Sequence, residues 1–502
     1  EGTRRLVKSM ASLARCLVLL SSVFLPLTAA NEGSISRSPS RLMRDPSCCK
    51  SQLKIGGLFK GKDGFEEHAI NPIFMKIDHI DEWLPAEKYE TPLTWRGAMV
   101  GQDETVLDVL YLNSPRASQK NLLYRQWVRA GPRDFLYFKP KEVVAAIVTC
   151  GGLCPGLNNV IKAIVDTLIK TYDVKKVWGI QFGYKGFYSL PWVDLDCKTV
   201  ENIHKRGGTV LGSSRGGGPK ENMDKIMSAL TSNGVNQVYV VGGDGTHRGA
   251  NLISQEAARR EYAMSVCGVP KTIDNDVAFI DKSFGFDSAV AEACKVINCA
   301  RIEADDSHNG IAIVKLMGRE CGFVAMYSAL ASNDVDICLI PEAPFSMDKL
   351  CEYTTEVLKK RGHCLIVVAE GAGSHHFEGV DLGVDASGNK RLPDIGTYLR
   401  DEMKNWFKAK DFPAEIRYLD PSYQIRSVAA NPSDSVYCST LGSTVVHGAM
   451  AGFTGFSCGQ VNHRYVYIPI EEMCDPSNKV RVDTKSRAYN RMIRCTGQPN
   501  LF

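Results

Sequence analysis

The sequence of 502 residues lacks a strong excess of charge of either sign. Its formal net charge is +4, but residues 1–50 contain eight Lys/Arg and three Asp/Glu, a net of +5, which leaves −1 for the remaining 452 residues. A near-neutral chain body offers no basic surface for a polyanion. We therefore expect no nucleic-acid partner.

The sequence also lacks the cysteine spacing of a zinc site or of a disulfide scaffold. Its 17 cysteines are scattered, and the clusters Cys48–Cys49 and Cys150–Cys154 have no second half at zinc spacing. Scattered cysteines in apolar runs are typical of buried free thiols. Free thiols indicate a reducing compartment, so we expect a cytoplasmic protein.

No apolar run is long enough for a confident membrane span, and we expect no membrane partner. Residues 10–33 have the outline of a secretory signal peptide, and the next segment is rich in Ser and Arg like an organelle transit peptide. Two interpretations of residues 1–45 stay open. They are a targeting peptide, which makes a plastid the alternative location, or a disordered tail or partly translated leader upstream of Met10.

Internal repeats of 20–50 residues are absent as well, and the pattern that replaces them is an alternation of short apolar runs with helical segments. The runs lie at residues 143–148, 177–180, 238–241, 265–269, 311–316, 336–340 and 364–371. Uninterrupted apolar strands between helices predict an α/β fold with mostly parallel sheets in two lobes. Ligands of such sheets bind at the carboxyl ends of the strands.

Glycine-rich turns follow the first strands, although neither a Walker A loop nor a GxGxxG fingerprint is present. Gly151 lies in the first turn, ahead of a helix that we predict from Val160. Arg215 and Gly216 lie in a second glycine-rich segment, where an arginine is suited to a phosphate. The alternatives are a purely structural turn and a solvated arginine.

The sharpest local motif is the segment from Gly243 to Thr246, directly after the strand at 238–241. Its glycines leave room for a polyphosphate, and Asp244 is placed to hold Mg²⁺ directly or through water. Several kinase families with unrelated acceptors share this motif. It therefore predicts a nucleotide kinase without specifying the acceptor.

Two carboxylates two residues apart, Asp274 and Asp276, follow the next strand together with Lys271 and Thr272. One carboxylate is suited to accept the proton of an attacking hydroxyl, and the other to position metal or substrate. Further along, Met317-Gly318-Arg319 and Glu370 each end a strand, and the segment 417–426 follows later in the chain. Together they predict a sugar-phosphate pocket in which arginines bind the phosphate.

Eight motifs follow one another along the chain: TCGGLCPGLNN, GGTVLGSSRGG, VVGGDGTHRGA, GVPKTIDND, FGFDSAV, VKLMGRECGF, VAEGAG and SYQIR. In this order they resemble the motifs of the 6-phosphofructokinases. The resemblance covers residues 120–502 and is closest to the plant-type ATP-dependent branch, which is related to the pyrophosphate-dependent enzymes. It implies two Rossmann-like lobes with the active site between them. The predicted division is a tail of residues 1–45, an extension of residues 46–142, an ATP-binding lobe of residues 143–285 with 425–475, and a fructose 6-phosphate-binding lobe of residues 286–424 with 476–502.

The resemblance also implies a role for each matching residue. The implied ATP site comprises Gly151, Arg215, Gly216, Gly243, Asp244, Gly245 and Thr246, with Asp244 as the Mg²⁺ ligand. The implied catalytic group comprises Asp274 as the base with Thr272, Arg319 and Lys271. The implied substrate contacts are Thr272, Ile273, Asp274, Met317, Gly318, Arg319, Glu370, Arg417, Tyr423 and Arg426.

Donor choice rests on Gly245 and Lys271. Pyrophosphate-using relatives have a second Asp where Gly245 stands, and its side chain would fill the space of the ATP α-phosphate. Lys271 is associated with pyrophosphate use, but plant-type ATP enzymes combine this Lys with this Gly. We therefore expect a glycolytic ATP-dependent 6-phosphofructokinase, with Mg²⁺ as cofactor and fructose 6-phosphate and ATP as substrates.

Three alternatives stay open at the level of sequence. They are a pyrophosphate-dependent enzyme, a catalytically silent regulatory subunit, and an NAD or lipid kinase that shares the segment from Gly243 to Thr246. The resemblance further implies an allosteric homo-oligomer, a tetramer or at least a dimer. Leu153, Gly310 and Tyr423 depart from the bacterial pattern, so allosteric rules of the bacterial enzymes do not transfer.

Overall fold

The computed structural model describes residues 72–94, 99–108, 124–384 and 391–502. It also gives the backbone of four short strands, Leu53–Ile55, Lys60–Gly61, Gly64–Phe65 and His68–Ile70. The chain divides into two units, residues 1–54 and 55–502, and the second contains all that is described below. The predictions for residues 1–45 lie outside the described residues.

Two main sheets carry the fold. Their strands are β1 (Ile73–Met75), β2 (Thr105–Leu107), β3 (Arg125–Arg129), β4 (Val144–Thr149), β5 (Lys176–Ile180), β6 (Val193–Asp194), β7 (Gln237–Gly242), β8 (Ser265–Pro270), β9 (Gly310–Leu316), β10 (Ile337–Leu339), β11 (His363–Ala369), β12 (Glu415–Leu419), β13 (Phe456–Val461) and β14 (Arg464–Pro469). Two-residue strands lie at Asp78–His79, Tyr89–Glu90, Phe135–Leu136 and Phe453–Thr454.

Helices connect most of these strands. They are α1 (Leu157–Asp166), α2 (Gly186–Ser189), α3 (Pro219–Ser232), α4 (Asp244–Arg259), α5 (Phe286–Asp305), α6 (Phe323–Ser332), α7 (Met347–Arg361), α8 (Ile395–Ala409), α9 (Ser422–Arg426), α10 (Pro432–Met450), α11 (Ile470–Cys474) and α12 (Arg487–Thr496). A π-helical turn at Thr167–Thr171 extends α1, and 3₁₀ turns lie at Ile80–Glu82, Pro140–Glu142, Ile203–Lys205, Ser374–Phe377 and Pro476–Asn478.

The larger sheet has the strand order β6-β5-β4-β7-β8-β13-β14-β3-β1, and β2 also pairs with β3. The five strands from β5 to β13 run parallel, whereas β14 and β3 extend the sheet in antiparallel fashion. β7 and β8 are buried over their full length. Their runs are apolar without alternation because helices cover both faces of a parallel sheet.

The smaller sheet has the order β10-β11-β9-β12 and is parallel throughout. β9 and β11 pair in register from Gly310 opposite His363 to Leu316 opposite Ala369, so their carboxyl ends lie side by side. The predicted α/β fold with mostly parallel sheets is confirmed. All seven predicted apolar runs are strands, with bounds that differ by one or two residues.

The first helix begins at Leu157, three residues before the predicted start at Val160. The reason lies at Gly156, whose left-handed φ of 101° turns the chain sharply out of the glycine-rich loop. A side chain there would also lie 2.5 Å from Cys438 Sγ of α10. Tertiary packing, which the local pattern does not contain, therefore sets this helix start.

The segment predicted as an extension, residues 46–142, supplies strands β1, β2 and β3 to the larger sheet. At the other end of the chain, α12 packs on α6, and Gln498 hydrogen-bonds both backbone groups of Cys338 in β10. The division of the chain between two lobes stays a prediction.

The 14 cysteines among the described residues are all free thiols. Within the same residues, no helix is both long enough and apolar enough to cross a membrane.

Candidate active site

Two glycine-rich loops meet at the carboxyl end of β4. The backbone N–H of Gly151 donates to the carbonyl of Ser214 at 3.1 Å, and the Ser213 hydroxyl donates back to the carbonyl of Gly151 at 2.6 Å. Thr149 at the end of β4 donates to the carbonyl of Gly212 at 2.7 Å. These bonds place the segment 206–218 directly beside the first turn.

Asn158, in the first turn of α1, fixes the other end of this segment. Its side-chain amide donates to the carbonyl of Arg206 at 2.9 Å, and its side-chain oxygen accepts from the N–H of Val210 at 2.9 Å. Asn158 is almost fully buried. A buried amide that satisfies two loop backbone groups positions the loop, and it was not among the sequence-predicted site residues.

The two loops line a cavity of about 720 Å³. Arg206, Arg215 and Arg426 also line it, so three guanidinium-bearing side chains face a space bordered by glycine backbone. A cavity of this size with convergent cationic groups is suited to a phosphorylated small molecule. The cavity therefore joins the predicted ATP residue Arg215 to the predicted substrate residue Arg426.

The carboxyl end of β7 leads into α4, whose first residue is Asp244. The N-terminus of a helix favours negative charge, so the start of α4 is suited to bind an anion. Next to Asp244, a Cβ added at Gly245 would meet nothing within 4 Å. Open space therefore lies at the position that a side chain on residue 245 would occupy.

Lys271 follows β8, and its side chain is buried. Its N–H donates to the carbonyl of Gly242 at 2.9 Å, and its Nζ lies 3.2 Å from the position of a Cβ on Gly151. Burial lowers the pKa of Lys271. Gly151, where the ammonium approaches the first turn, has a left-handed φ of 87°, which favours glycine.

Asp274 lies at the centre of the site. Burial, and then the carboxylates of Asp276 and Glu370, raise the pKa of Asp274 to about 7, against the opposing charges of Arg319 and Lys271. Within the described residues, its buried Oδ1 accepts no hydrogen bond. A carboxyl group with this pKa and one unused oxygen is suited to exchange a proton near neutral pH.

The two turns at the carboxyl ends of β9 and β11 are bonded to each other. The N–H of Glu370 donates to the carbonyl of Leu316 at 2.9 Å, and the N–H of Gly371 donates to the carbonyl of Gly318 at 3.0 Å. A thiol joins them to the Asp274 loop, because Cys321 Sγ donates to the carbonyl of Asp274 at 3.3 Å. The carboxyl ends of both sheets therefore contribute to one site.

Comparison with known proteins agrees with this architecture. A family model described as Phosphofructokinase matches residues 144–449. The chain belongs to the phosphofructokinase family. Its relatives include "ATP-dependent 6-phosphofructokinase 1" of Arabidopsis thaliana, 47% identical over 447 residues that make up 86% of this chain and 92% of that protein.

A second phosphofructokinase of that plant, "ATP-dependent 6-phosphofructokinase 4, chloroplastic", is 42% identical over 490 residues, 95% of this chain and 89% of that protein. Among solved structures, the pyrophosphate-dependent phosphofructokinase of Marinobacter aquaeolei aligns with a TM-score of 0.58 at 19% identity, over 72% of this chain and 93% of that chain. At that identity the likeness shows a shared phosphofructokinase fold and carries no information on the donor.

Most of the predicted site residues are brought together, but Arg417 is not. Its guanidinium lies 3.3 Å from Glu303 and 3.4 Å from Glu415, and it donates to Ser307 at 3.2 Å. These partners lie at the amino-terminal edge of the smaller sheet, whereas Glu370 follows its carboxyl edge. Tyr423 is 75% exposed, and Cζ of the Arg426 guanidinium lies 4.7 Å from the centroid of its ring.

Sequence analysis missed a lysine at the centre of three carboxylates. Lys479 Nζ lies 3.4 Å from Asp244, 3.6 Å from Asp276 and 3.7 Å from Glu320. Burial lowers the pKa of Lys479, but the three carboxylates outweigh that effect and raise it. No local motif marks Lys479, because its position depends on how residues 476–482 cross the site.

The donor groups of this region fit a magnesium ion that arrives with phosphates. Mg²⁺ is usually held by one or two carboxylates, waters and substrate phosphate oxygens. Asp244 is such a carboxylate, next to the space at Gly245. Among the described residues no group of three His, Cys, Asp or Glu side chains is close enough to hold a metal by itself. The carboxylate of Asp244 is therefore suited to provide one ligand of a coordination sphere that phosphates and waters complete.

Proposed function

We propose that this chain is an ATP-dependent 6-phosphofructokinase, which transfers the γ-phosphoryl group of ATP to the C1 hydroxyl of fructose 6-phosphate. The observation that carries this proposal is Asp274, a carboxyl group of pKa about 7 with an unused oxygen, among the groups that the family motifs provide. Relatives named as ATP-dependent 6-phosphofructokinases over most of the chain support the choice of reaction.

In the proposed mechanism Asp274 accepts the C1 hydroxyl proton as that oxygen attacks the γ-phosphorus. The bond between the γ-phosphorus and its bridging oxygen breaks, and ADP leaves. Because charge spreads over the transferred phosphoryl oxygens, fixed cations stabilise the transition state. Lys271 and Arg319 are those cations, since both act electrostatically on Asp274.

Asp244 would hold Mg²⁺, which supplies charge neutralisation to the donor phosphates. The α4 N-terminus and Arg215 would bind those phosphates, and the glycine backbone of Gly151, Gly216 and Gly243 permits their close approach. Gly151 and Arg215 line the loop cavity, and Gly243 and Asp244 form the start of α4.

On the acceptor side, Arg426 is the proposed ligand of the 6-phosphate, because it lines the same cavity. Glu370 is the proposed acceptor of sugar hydroxyl hydrogen bonds, and the turn Met317-Gly318-Arg319 is held against it by the bond from Gly371 to Gly318. The role of Arg417 as a substrate contact stays a prediction, because its described partners are Glu303, Glu415 and Ser307.

ATP is the proposed donor because the space beside Asp244 is open. A Cβ at Gly245 would meet no atom within 4 Å apart from its chain neighbours and its own helix backbone, so residue 245 itself leaves room for the α-phosphate of a nucleotide. Lys271, the feature associated with pyrophosphate, is buried against Gly151 and is compatible with either donor.

We further propose a cytoplasmic location, with a plastid as the alternative if residues 1–45 are a targeting peptide. A relative named as chloroplastic aligns over 95% of this chain and supports keeping the alternative. The proposed assembly is an allosteric homotetramer or homodimer.

A coupled assay of the full chain with fructose 6-phosphate, Mg²⁺ and either ATP or pyrophosphate tests the proposal. We expect turnover with ATP alone. Turnover with pyrophosphate alone would show that the donor is pyrophosphate and not ATP. Phosphorylation of NAD or diacylglycerol would show that the acceptor is not fructose 6-phosphate. Silence of the folded protein with both donors would support the regulatory-subunit alternative.

A further inference from the structure

Lys479 reaches the site on a segment whose backbone is fixed at several points. After the 3₁₀ turn Pro476–Asn478, the N–H of Val480 donates to the carbonyl of Asp276 at 3.3 Å. The N–H of Val482 donates to the carboxylate of Glu342 at 2.7 Å. The same Glu342 oxygen accepts from the N–H of Gly322 at 3.1 Å, next to the start of α6. The fold therefore holds Lys479 in place.

The ammonium of Lys479 is shared among its carboxylates. Its distances to Asp244, Asp276 and Glu320 lie between 3.4 and 3.7 Å, longer than a direct charge-assisted hydrogen bond. The three carboxylates follow three different strands, β7, β8 and β9. A cation at this point offsets the mutual repulsion of groups that folding brings together.

The charge balance of this cluster decides which cation enters. Three carboxylates face Lys479, and Arg481 lies 3.6 Å from one of them, Glu320. A bare divalent cation approaching Asp244 meets the positive charge of Lys479 a few ångström away. A metal–polyphosphate complex carries net negative charge instead, so the same lysine attracts it.

We propose that Lys479 is a positioning residue that acts as the internal counter-cation of Asp244, Asp276 and Glu320, so that the site excludes bare divalent cations and admits the metal together with its polyphosphate. The effect that this inference predicts on turnover rests on the proposed kinase function. Its consequence for metal binding depends only on the charges of the ligand-free chain.

The test is a titration of the full chain with Mn²⁺, without nucleotide or sugar, followed by the electron paramagnetic resonance signal of free Mn²⁺. K479M removes the ammonium, and we expect Mn²⁺ to bind about tenfold more tightly than to the unchanged protein. K479R keeps the charge and is expected to bind Mn²⁺ as the unchanged protein does. K485M is the matched control, because Lys485 is exposed in the same segment.

Equal Mn²⁺ affinity of K479M and K485M would overturn the proposal. If K479M does not fold, as judged by circular dichroism, K479Q takes its place with the same expectation. In turnover, K479M is expected to raise KM for Mg·ATP about tenfold and to leave KM for fructose 6-phosphate within twofold, whereas a merely structural role would change both. The Mn²⁺ titration contains no substrate, so its result stands even if the chain phosphorylates no sugar.

Discussion

At the scale of single residues, the site depends on two neighbouring side chains, Asp274 and Lys271. Burial disfavours the charged form of both. Burial raises the pKa of Asp274 to about 7 and lowers the pKa of Lys271, and each remains close to groups of the opposite charge. A proton acceptor is most effective when its pKa lies near the working pH. The protein thus places a carboxyl group in the neutral range without a histidine.

The pH dependence of turnover should report Asp274. The carboxylate form is the active base, so activity is present above pH 7 and falls as the pH falls through the raised pKa. The expected fall is about fivefold from pH 7 to pH 6 and approaches about tenfold per pH unit below that. The measurement is kcat/KM for fructose 6-phosphate between pH 5.5 and 9. We expect a break near pH 7.

D274N provides the control for that break. It removes the base, and we expect kcat to fall by about 10² to 10⁴. The residual rate should lose the break near pH 7 and keep one near pH 6, where a phosphate monoester titrates. A D274N profile that still breaks near pH 7 would assign this ionisation to another group.

Gly245 is expected to set the donor. G245D places a carboxylate in open space in the first turn of a helix, where a negative charge is well tolerated by the fold. Its charge would repel the donor phosphates, so we expect KM for ATP to rise at least about tenfold. G245A adds only a methyl group and is the matched control; comparable ATP kinetics of the two variants would count against this role.

At the scale of elements, the turns after β9 and β11 work as a pair. The backbone of Gly371 passes so close to Arg319 that a Cβ would lie 1.8 Å from its carbonyl oxygen. Such a contact requires glycine whatever the backbone angles. The turn that carries Arg319 therefore has its position set by the neighbouring strand.

G371A should separate these two turns. The added methyl group collides with backbone, which has no rotamer to yield, so we expect a loss of about 1–3 kcal/mol in the free energy of unfolding. We also expect kcat/KM for fructose 6-phosphate to fall at least about tenfold. Thermal unfolding and steady-state kinetics measure the two effects.

G218A is the control for that variant, because a Cβ at Gly218 comes no closer than 3.9 Å to another residue and its φ of −69° suits any residue. Equal kinetics of G371A and G218A would show that contact between the turns is unimportant for catalysis.

At the scale of the whole molecule, the site exists because the parallel strands of two sheets direct their carboxyl ends at one region. Asp244 and Asp274 follow strands of the larger sheet, whereas Arg319 and Glu370 follow strands of the smaller one. The thiol of Cys321 bonds the two sets of loops together. Residues 476–482 then cross the site from the carboxyl-terminal part of the chain.

The sequence by itself determined the strands, the fold class and the residues that lie within motifs. Apolar runs predict buried parallel strands because each strand is covered on both faces, and short motifs at strand ends carry Asp244, Asp274 and Arg319 within local segments. The local sequence is sufficient to predict where such residues lie, because their positions follow from the strand that precedes them.

Only the tertiary structure decided the positions of Lys479, Asn158 and Arg417. Lys479 lies more than 200 residues from Asp244 and Asp276 and meets them only because a distant segment crosses the site. Asn158 holds a loop that starts 48 residues away, and Arg417 is directed to the opposite edge of its sheet. Pairing over such separations depends on packing of the whole chain, which a local pattern does not encode.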